Sequence, residues 1–142
     1  IAGRMATADL EPVSVEQRRA WFHDRDPSRR PIWVAERDGD VVGWLSVNDF
    51  YGRAAYAPTA EVGVYVDERH RRTGVAGALL AHAIAAAPGL GLTTLLAYVF
   101  GHNAPSIALF ERHGFARWGL LPAVARLDDR DADLAILGRR VP

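Results

Sequence analysis

The sequence predicts a mixed α/β sandwich, built as a single domain over residues 1–142. Two observations carry this. Helical and strand-like patterns follow one another in the order helix, three strands, helix, strand, helix, then strands. No repeat, low-complexity tract or linker breaks that order, and 142 residues fill one core better than two marginal ones. Ser14-Val15-Glu16-Gln17 forms a capping box that starts a helix running to about Arg25, with Pro27 beyond it. Ile32–Glu36 is the first strand, and Asp38-Gly39 is a hairpin turn leading into a partner strand over Val41–Phe50. Ala60–Val66 alternates as a third strand, with Val62, Val64 and Val66 on one side and Glu61, Gly63 and Tyr65 on the other. Gly74–Ala87 is an Ala/Leu-rich helix ended by Pro88-Gly89. Thr93–Phe100 has the length of a buried strand, and Pro105–His113 is a short helix with Gly114 past its end. Phe115–Leu120 and Ala132–Leu137 are the closing strands, and Asp128-Asp129-Arg130-Asp131 is a solvated turn between them.

Composition narrows the function. Apolar residues make up 49% of the chain and charged residues 24%, too apolar for disorder and too often interrupted by charge for a membrane span. The opening residues Ile1–Met5 lack the regions of a secretory signal, so a cytoplasmic protein is expected. Seventeen basic residues balance seventeen acidic ones, which gives no global pull toward nucleic acid. With no cysteine there is no thiol nucleophile and no thiolate metal site, and any sulfur chemistry must come from a bound molecule. Five histidines show no metal-ligand spacing, and no metal is expected.

The most informative segment joins the third strand to the second helix, Val64-Tyr65-Val66-Asp67-Glu68-Arg69-His70-Arg71-Arg72-Thr73-Gly74-Val75-Ala76-Gly77. Small residues let backbone N–H groups approach a ligand, and a helix N-terminus adds partial positive charge. Together they suit a phosphate or pyrophosphate, with Arg69, Arg71 and Arg72 as countercharge at the rim. The arginines by themselves are as readily a solvated basic turn; strand, basic loop, small residues and helix in succession favour the anion site. The turn is not a P-loop, because no Gly-Lys-Ser/Thr follows, and it lacks the G-x-G-x-x-G of dinucleotide folds.

Arg71-Arg72-Thr73-Gly74-Val75-Ala76 resembles the Q/R-x-x-G-x-G/A signature of the GNAT acetyltransferases, which hold the CoA pyrophosphate on this turn. Asn103-Ala104-Pro105-Ser106 and Leu109-Phe110-Glu111-Arg112-His113-Gly114-Phe115 are similar to the family's late asparagine, helix and E-R/K-x-G-F ending. Phe50–Tyr56 and Thr59-Ala60-Glu61 are similar to the branch containing phosphinothricin and methionine-sulfone acetyltransferases. The resemblance covers nearly the whole chain. It implies a GNAT fold, with a mixed, mostly antiparallel sheet flanked by helices. It also implies that the family's usual first strand and most of its first helix are missing, either because the sequence is part of a longer chain or because its front is trimmed. Acetyl-CoA is the implied acyl donor and a small-molecule amine the implied acceptor, with no nucleic-acid or membrane partner and a homodimer as the usual assembly.

Carried over residue by residue, the resemblance places the pantetheine arm on the backbones of Val64, Tyr65 and Val66. The pyrophosphate falls on Arg71, Arg72, Thr73, Gly74, Val75, Ala76 and Gly77, with a further contact from Asn103. Glu61 stands where the branch keeps its general base, although pattern alone would make it the polar member of an alternating strand. The Val64 amide is placed to stabilise the oxyanion. Arg53 stands where the branch grips a substrate carboxylate, which a guanidinium can do with two bonds, and Tyr56 lines the same pocket. Where many relatives keep a Tyr or His acid the chain has Phe110, with Tyr98 and His113 as possible substitutes. Trp21, Trp33, Trp44 and Trp118 are expected in the core or at a dimer interface. The leading reading is an N-acetyltransferase for a small amino acid or its analogue. The alternatives are an acyl-CoA-binding module without catalysis, an acetyltransferase for a peptide or other amine, and a phosphotransferase using the same turn.

Overall fold

Helix α1 (Val15–His23) begins where Ser14 closes its capping box. The computed structural model describes residues 5, 7, 9 and 11–142. In it the Ser14 hydroxyl accepts from the Gln17 amide at 3.1 Å, and the Gln17 side chain accepts from the Ser14 amide at 3.0 Å. Two orphan donors are thereby satisfied, worth about 1 kcal/mol each in similar caps. No α1 residue is fully buried. The helix attaches through aromatic and cationic contacts: Trp21 meets Trp44 edge-on at 5.6 Å, and the Arg18 and Arg25 guanidinium carbons lie 4.9 and 4.8 Å from the Trp21 ring centre. The expected trimming of the front concerns residues that lie largely outside those described.

Strands β1 (Ile32–Arg37) and β2 (Asp40–Asp49) form the expected hairpin. Asp38 and Gly39 both take positive φ, 52° and 85°, as a two-residue turn between twisted strands demands. Then come β3 (Thr59–Val66), α2 (Val75–Ala86), β4 (Thr94–Phe100), α3 (Ala104–Arg112), β5 (Ala116–Leu127) and β6 (Arg130–Arg140). The six strands make one sheet in the order β1-β2-β3-β4-β6-β5. Every neighbouring pair is antiparallel except β3–β4, which α2 connects as a parallel crossover.

The two closing strands are much longer than their patterns suggest. Register shifts between Arg117 and Gly119 and between Leu121 and Ala125 break the alternation of β5, and Pro122 falls inside the second. An edge strand tolerates such a proline because its missing donor faces away from the ladder. Ala123 sits at positive φ there, and its amide donates to Asp133 at 2.8 Å. The turn narrows to Asp128-Asp129.

The main core lies on one face of the sheet. Val75, Leu79, Leu80 and Ala83 of α2 pack with Leu45, Val62, Leu95 and Leu137, and Phe110 of α3 joins the same cluster. Leu45, Leu80 and Leu137 are fully sealed, each contributing roughly 1.5–3 kcal/mol by burial. Since strand side chains alternate faces, Val62, Val64 and Val66 point into this core while Glu61, Gly63 and Tyr65 point to the opposite face, where Trp44 stacks on Tyr65 at 4.4 Å. Of the four tryptophans, Trp33 packs against the core and Trp118 is half exposed, lying over Gly138.

Candidate active site

The register of the sheet opens a gap at its centre. Pairing of β3 with β4 stops after Thr59–Thr94, Ala60–Leu95 and Glu61–Leu96. Beyond that point β3 continues to Val66 paired only with β2, while Ala97–Phe100 of β4 pair only with β6. The two central strands therefore splay from a vertex at Glu61. The Asp67 amide donates to the Val42 carbonyl at 2.8 Å on the β2 side. Alternation along the register then turns the Tyr65 backbone toward β2 and those of Val64 and Val66 into the gap. An unpaired edge of this kind offers amide partners to an extended, peptide-like molecule.

At the vertex Glu61 is largely withdrawn from solvent. Burial pushes its carboxyl above the usual range, opposed by a hydrogen bond from Asn48 and by the positive charge of Arg25. Asn48 donates to the Glu61 carboxylate at 3.1 Å and to the Ser46 hydroxyl at 3.0 Å, and accepts from Arg25 at 2.9 Å. Two phenols face the same carboxylate. Burial first, and Glu61 second, push both Tyr65 and Tyr98 upward, so both stay protonated at neutral pH.

At the far end of β3 the chain enters the basic turn. Asp67 accepts from the Arg69 amide at 3.2 Å, which with nearby charge keeps its carboxyl ionised. Arg72 and Gly74 take positive φ, 62° and 86°. Thr73 is tied by its hydroxyl to the His70 carbonyl, and Arg37 of β1 donates to the Thr73 carbonyl at 2.9 Å. Gly74 caps α2 with no side chain to satisfy the first-turn amides, and a Cβ built there would meet nothing within 4 Å. Arg71, Arg72, Thr73 and Gly74 are exposed, Val75 is buried as a core anchor, and Ala76 and Gly77 are half-buried beside it. An exposed helix start with free space above a left-handed glycine is suited to a phosphate group.

The remaining expected residues fall in two places. Arg53 and Tyr56 come together on a cavity of about 160 Å³ that Asp49 also lines. Glu61 does not line that cavity: its partner Asn48 alternates with Asp49 along β2, so the two side chains point to opposite faces. Asn103 is not on a strand: it caps α3, accepting from the Ser106 amide at 3.3 Å and donating to the Met5 carbonyl at 3.0 Å. Phe110 is buried edge-on against Phe115 at 5.0 Å, with no polar role. His113 donates from Nδ1 to the Leu109 carbonyl at 2.9 Å, and its ring packs beside Gly77, away from the vertex.

Four residues had no signal in the sequence. Arg25, Asn48 and Ser46 build the surroundings of Glu61, and Arg30 holds the Arg53 loop in place. Arg30 is buried, donating to Asp49 at 2.7 Å and to the Ala57 carbonyl at 2.9 Å. Arg25, Asn48 and Arg30 look like ordinary polar residues until the fold brings partners distant in sequence into reach, and Ser46 gains its place only through Asn48, two residues along β2. Among the described residues no group of His, Asp or Glu is gathered to hold a metal, and no helix is long and apolar enough to cross a membrane.

Residues 4–115 match the model of the acetyltransferase (GNAT) family. The chain is 52% identical to YwnH of Bacillus subtilis, named provisionally as a phosphinothricin acetyltransferase, over 99% of this chain and 86% of that protein. It is 35% identical to an L-methionine sulfoximine/L-methionine sulfone acetyltransferase of Pseudomonas aeruginosa, over 89% of this chain and 74% of the relative. The crystal structure of a phosphinothricin acetyltransferase of Sinorhizobium meliloti in complex with acetyl-CoA superposes with a TM-score of 0.91. It is 28% identical, and the match covers 96% of this chain and 75% of that one.

Proposed function

The chain belongs to the acetyltransferase (GNAT) family, and from that premise we propose that it transfers acetyl from acetyl-CoA to the amine of a small amino acid or analogue, of the phosphinothricin or methionine sulfone and sulfoximine kind. One observation carries the reading: β3 and β4 part at Glu61, so a carboxylate, an unpaired strand edge and a phosphate-sized helix start follow one another along a single strand.

In this reading Val64 and Val66 offer backbone groups to the pantetheine amides, and Tyr65 contributes through its ring stacked on Trp44. The first turn of α2, with Arg71, Arg72, Thr73 and Gly74 outside it and Ala76 and Gly77 behind, receives the pyrophosphate. Asn103 takes its part by holding the start of α3, which follows β4 directly.

The amine must lose a proton to attack. Glu61 accepts it, directly or through one water, and its raised pKa brings it nearer to the operating pH of a general base. The nitrogen lone pair forms the new C–N bond, and the Val64 amide bonds the oxygen that gains charge. The second proton of the acylated nitrogen passes to water as the carbonyl re-forms; the C–S bond breaks and the sulfur leaves with the electron pair. Phe110 cannot protonate it, but a thiol pKa near roughly 8.5 makes the thiolate a tolerable leaving group. Tyr98, protonated and one strand from Glu61, is the phenol available to shield it. Arg53 binds the acceptor carboxylate and Tyr56 packs against its side chain. A homodimer fits the same reading: β5 presents Trp118, Leu120, Leu121 and Val124, each between 41 and 56% exposed.

The test is thiol release from acetyl-CoA against phosphinothricin, methionine sulfone, methionine sulfoximine, ordinary amino acids, polyamines and an aminoglycoside. Turnover confined to the amino-acid analogues is expected. Turnover with polyamines or the aminoglycoside instead would remove the carboxylate-anchored pocket. Binding of acetyl-CoA without turnover on any amine would leave a cofactor-binding module.

A further inference from the structure

We propose that Asn48 is a positioning residue for the candidate base, clamped by Arg25 and Ser46 so that it presents an N–H to the Glu61 carboxylate and holds it in one orientation. This rests on the reading of Glu61 as general base.

The geometry fixes the Asn48 amide from three sides. Its oxygen accepts from Arg25 Nη1 at 2.9 Å, and its nitrogen donates to Ser46 Oγ at 3.0 Å and Glu61 Oε2 at 3.1 Å. Flipping the amide would set its NH₂ against a guanidinium and its oxygen against a carboxylate, so charge on both sides determines the assignment. Arg25 is itself held: it donates from Nε to the Arg30 carbonyl at 3.1 Å and from Nη2 to the Val47 carbonyl, with Trp21 beneath its plane. Asn48 faces Glu61 directly in the β2–β3 register, so backbone pairing sets their separation. The chain guanidinium–amide–carboxylate therefore conveys the position of the α1 end to the vertex of the splayed strands.

The groups around Glu61 divide by effect. Arg25, from the segment after α1, and Asn48, from β2, favour the charged carboxylate; Ser46 beside them is neutral. Tyr65 on β3 and Tyr98 on β4 face it as neutral phenols. Burial opposes the charge. A buried base needs both states within reach, and Asn48 supplies the bond that keeps the receptive state populated.

Two measurements on the same variants test this. In protein labelled with ¹³C at glutamate side chains, the Glu61 midpoint is followed by NMR in the native chain, Asn48→Ala and Asn48→Asp; kcat/KM is measured across pH in the same three and in Glu61→Gln. Asn48→Asp retains an acceptor for Arg25, so it keeps the fold if Asn48→Ala does not. Asn48→Ala is expected to move the Glu61 midpoint upward by about one pH unit, and Asn48→Asp further because it also adds a like charge, with the acid limb of kcat/KM moving in step. Activity of Asn48→Ala then falls by up to about tenfold at pH values below the native midpoint and recovers above the shifted one, whereas a merely structural residue would lower activity equally at every pH. An unmoved Glu61 midpoint in Asn48→Ala, or a shift in Asn48→Asp no larger than its added charge produces when salt screens it, overturns the proposal, whatever Glu61→Gln does. A midpoint that moves while the acid limb stays, with Glu61→Gln still active, overturns the base assignment and with it any part for Asn48 in the reaction.

Discussion

Arg53 directly precedes a 3-10 turn over Ala54–Tyr56, exposed beside the small cavity it shares with Tyr56 and Asp49. A guanidinium gripping a carboxylate with two bonds contributes about 1.5–3 kcal/mol, a factor of roughly 10–100 in binding. Arg53→Met is therefore expected to raise KM for an amino-acid acceptor by roughly 10–100-fold, with kcat near native at saturation. Arg53→Lys should recover part of that loss through a single bond. Initial rates against acceptor concentration at saturating acetyl-CoA decide it: a fall in kcat with KM unchanged would remove Arg53 from the acceptor pocket. Single residues are also where the sequence was least legible. Glu61 could be singled out only because Thr59-Ala60-Glu61 resembles a known branch; its alternating strand would accept any polar side chain there. Asn48, Arg25 and Arg30 carried no signal, because a hydrogen bond across 23 residues of chain leaves no local pattern. Asn103 was identified as a cofactor contact; its side chain closes a helix start, a role that Asn-Ala-Pro-Ser does announce.

The start of α2 is decided at the scale of the element. Gly74, at φ 86°, lies in the region that L side chains enter at a cost of roughly 1–2 kcal/mol, and the space above it is open. Gly77, one turn further on, lies within the helix, where a Cβ would come 3.6 Å from the His113 ring, an ordinary contact. The two glycines should thus respond oppositely to alanine. Gly74→Ala is expected to lower stability by about 1 kcal/mol and to weaken CoA binding roughly tenfold, because its methyl projects into the space proposed for the pyrophosphate. Gly77→Ala should gain up to about 1 kcal/mol in stability from helix propensity and keep its affinity, its methyl facing α3 rather than the ligand. Thermal unfolding with and without CoA measures both, and equal loss of CoA protection in the two variants would contradict this placement of the pyrophosphate. Elements of this kind were legible because their signals are local: the capping box, the Asp38-Gly39 turn and the Pro88-Gly89 stop each lie within a few residues. The length of β5 was not, because its bulges interrupt the alternation by which a strand is recognised and its partner β6 restores the pairing from outside. The splay of β3 from β4 belongs to neither strand alone, and no pattern in either predicts it.

For the whole molecule, the vertex of the sheet is a place where the proposed role of Glu61 opposes stability. Folding carries Glu61 from water to a site where burial favours its protonated form more than Asn48 and Arg25 favour its charge. Its folded pKa therefore lies above its unfolded one. Between those two values the folded chain binds more protons than the unfolded chain, so stability falls as pH rises through that window. Below the window the carboxyl is protonated in both states and the penalty vanishes; above it the full penalty persists. Removing the charge should then stabilise the fold where the enzyme works. Glu61→Gln keeps an oxygen to accept the Asn48 N–H and is expected to raise the melting temperature by roughly 1–3 °C at pH 7–8. The gain should shrink toward zero near pH 4, while acetyl transfer is lost at both. Calorimetry of the two proteins at these pH values measures the difference. A Glu61→Gln protein less stable than the native chain at pH 8 would mean that the Arg25–Asn48–Glu61 chain holds the sheet together rather than straining it. The carboxylate would then be a structural ion, and a second group would have to take the proton from the amine.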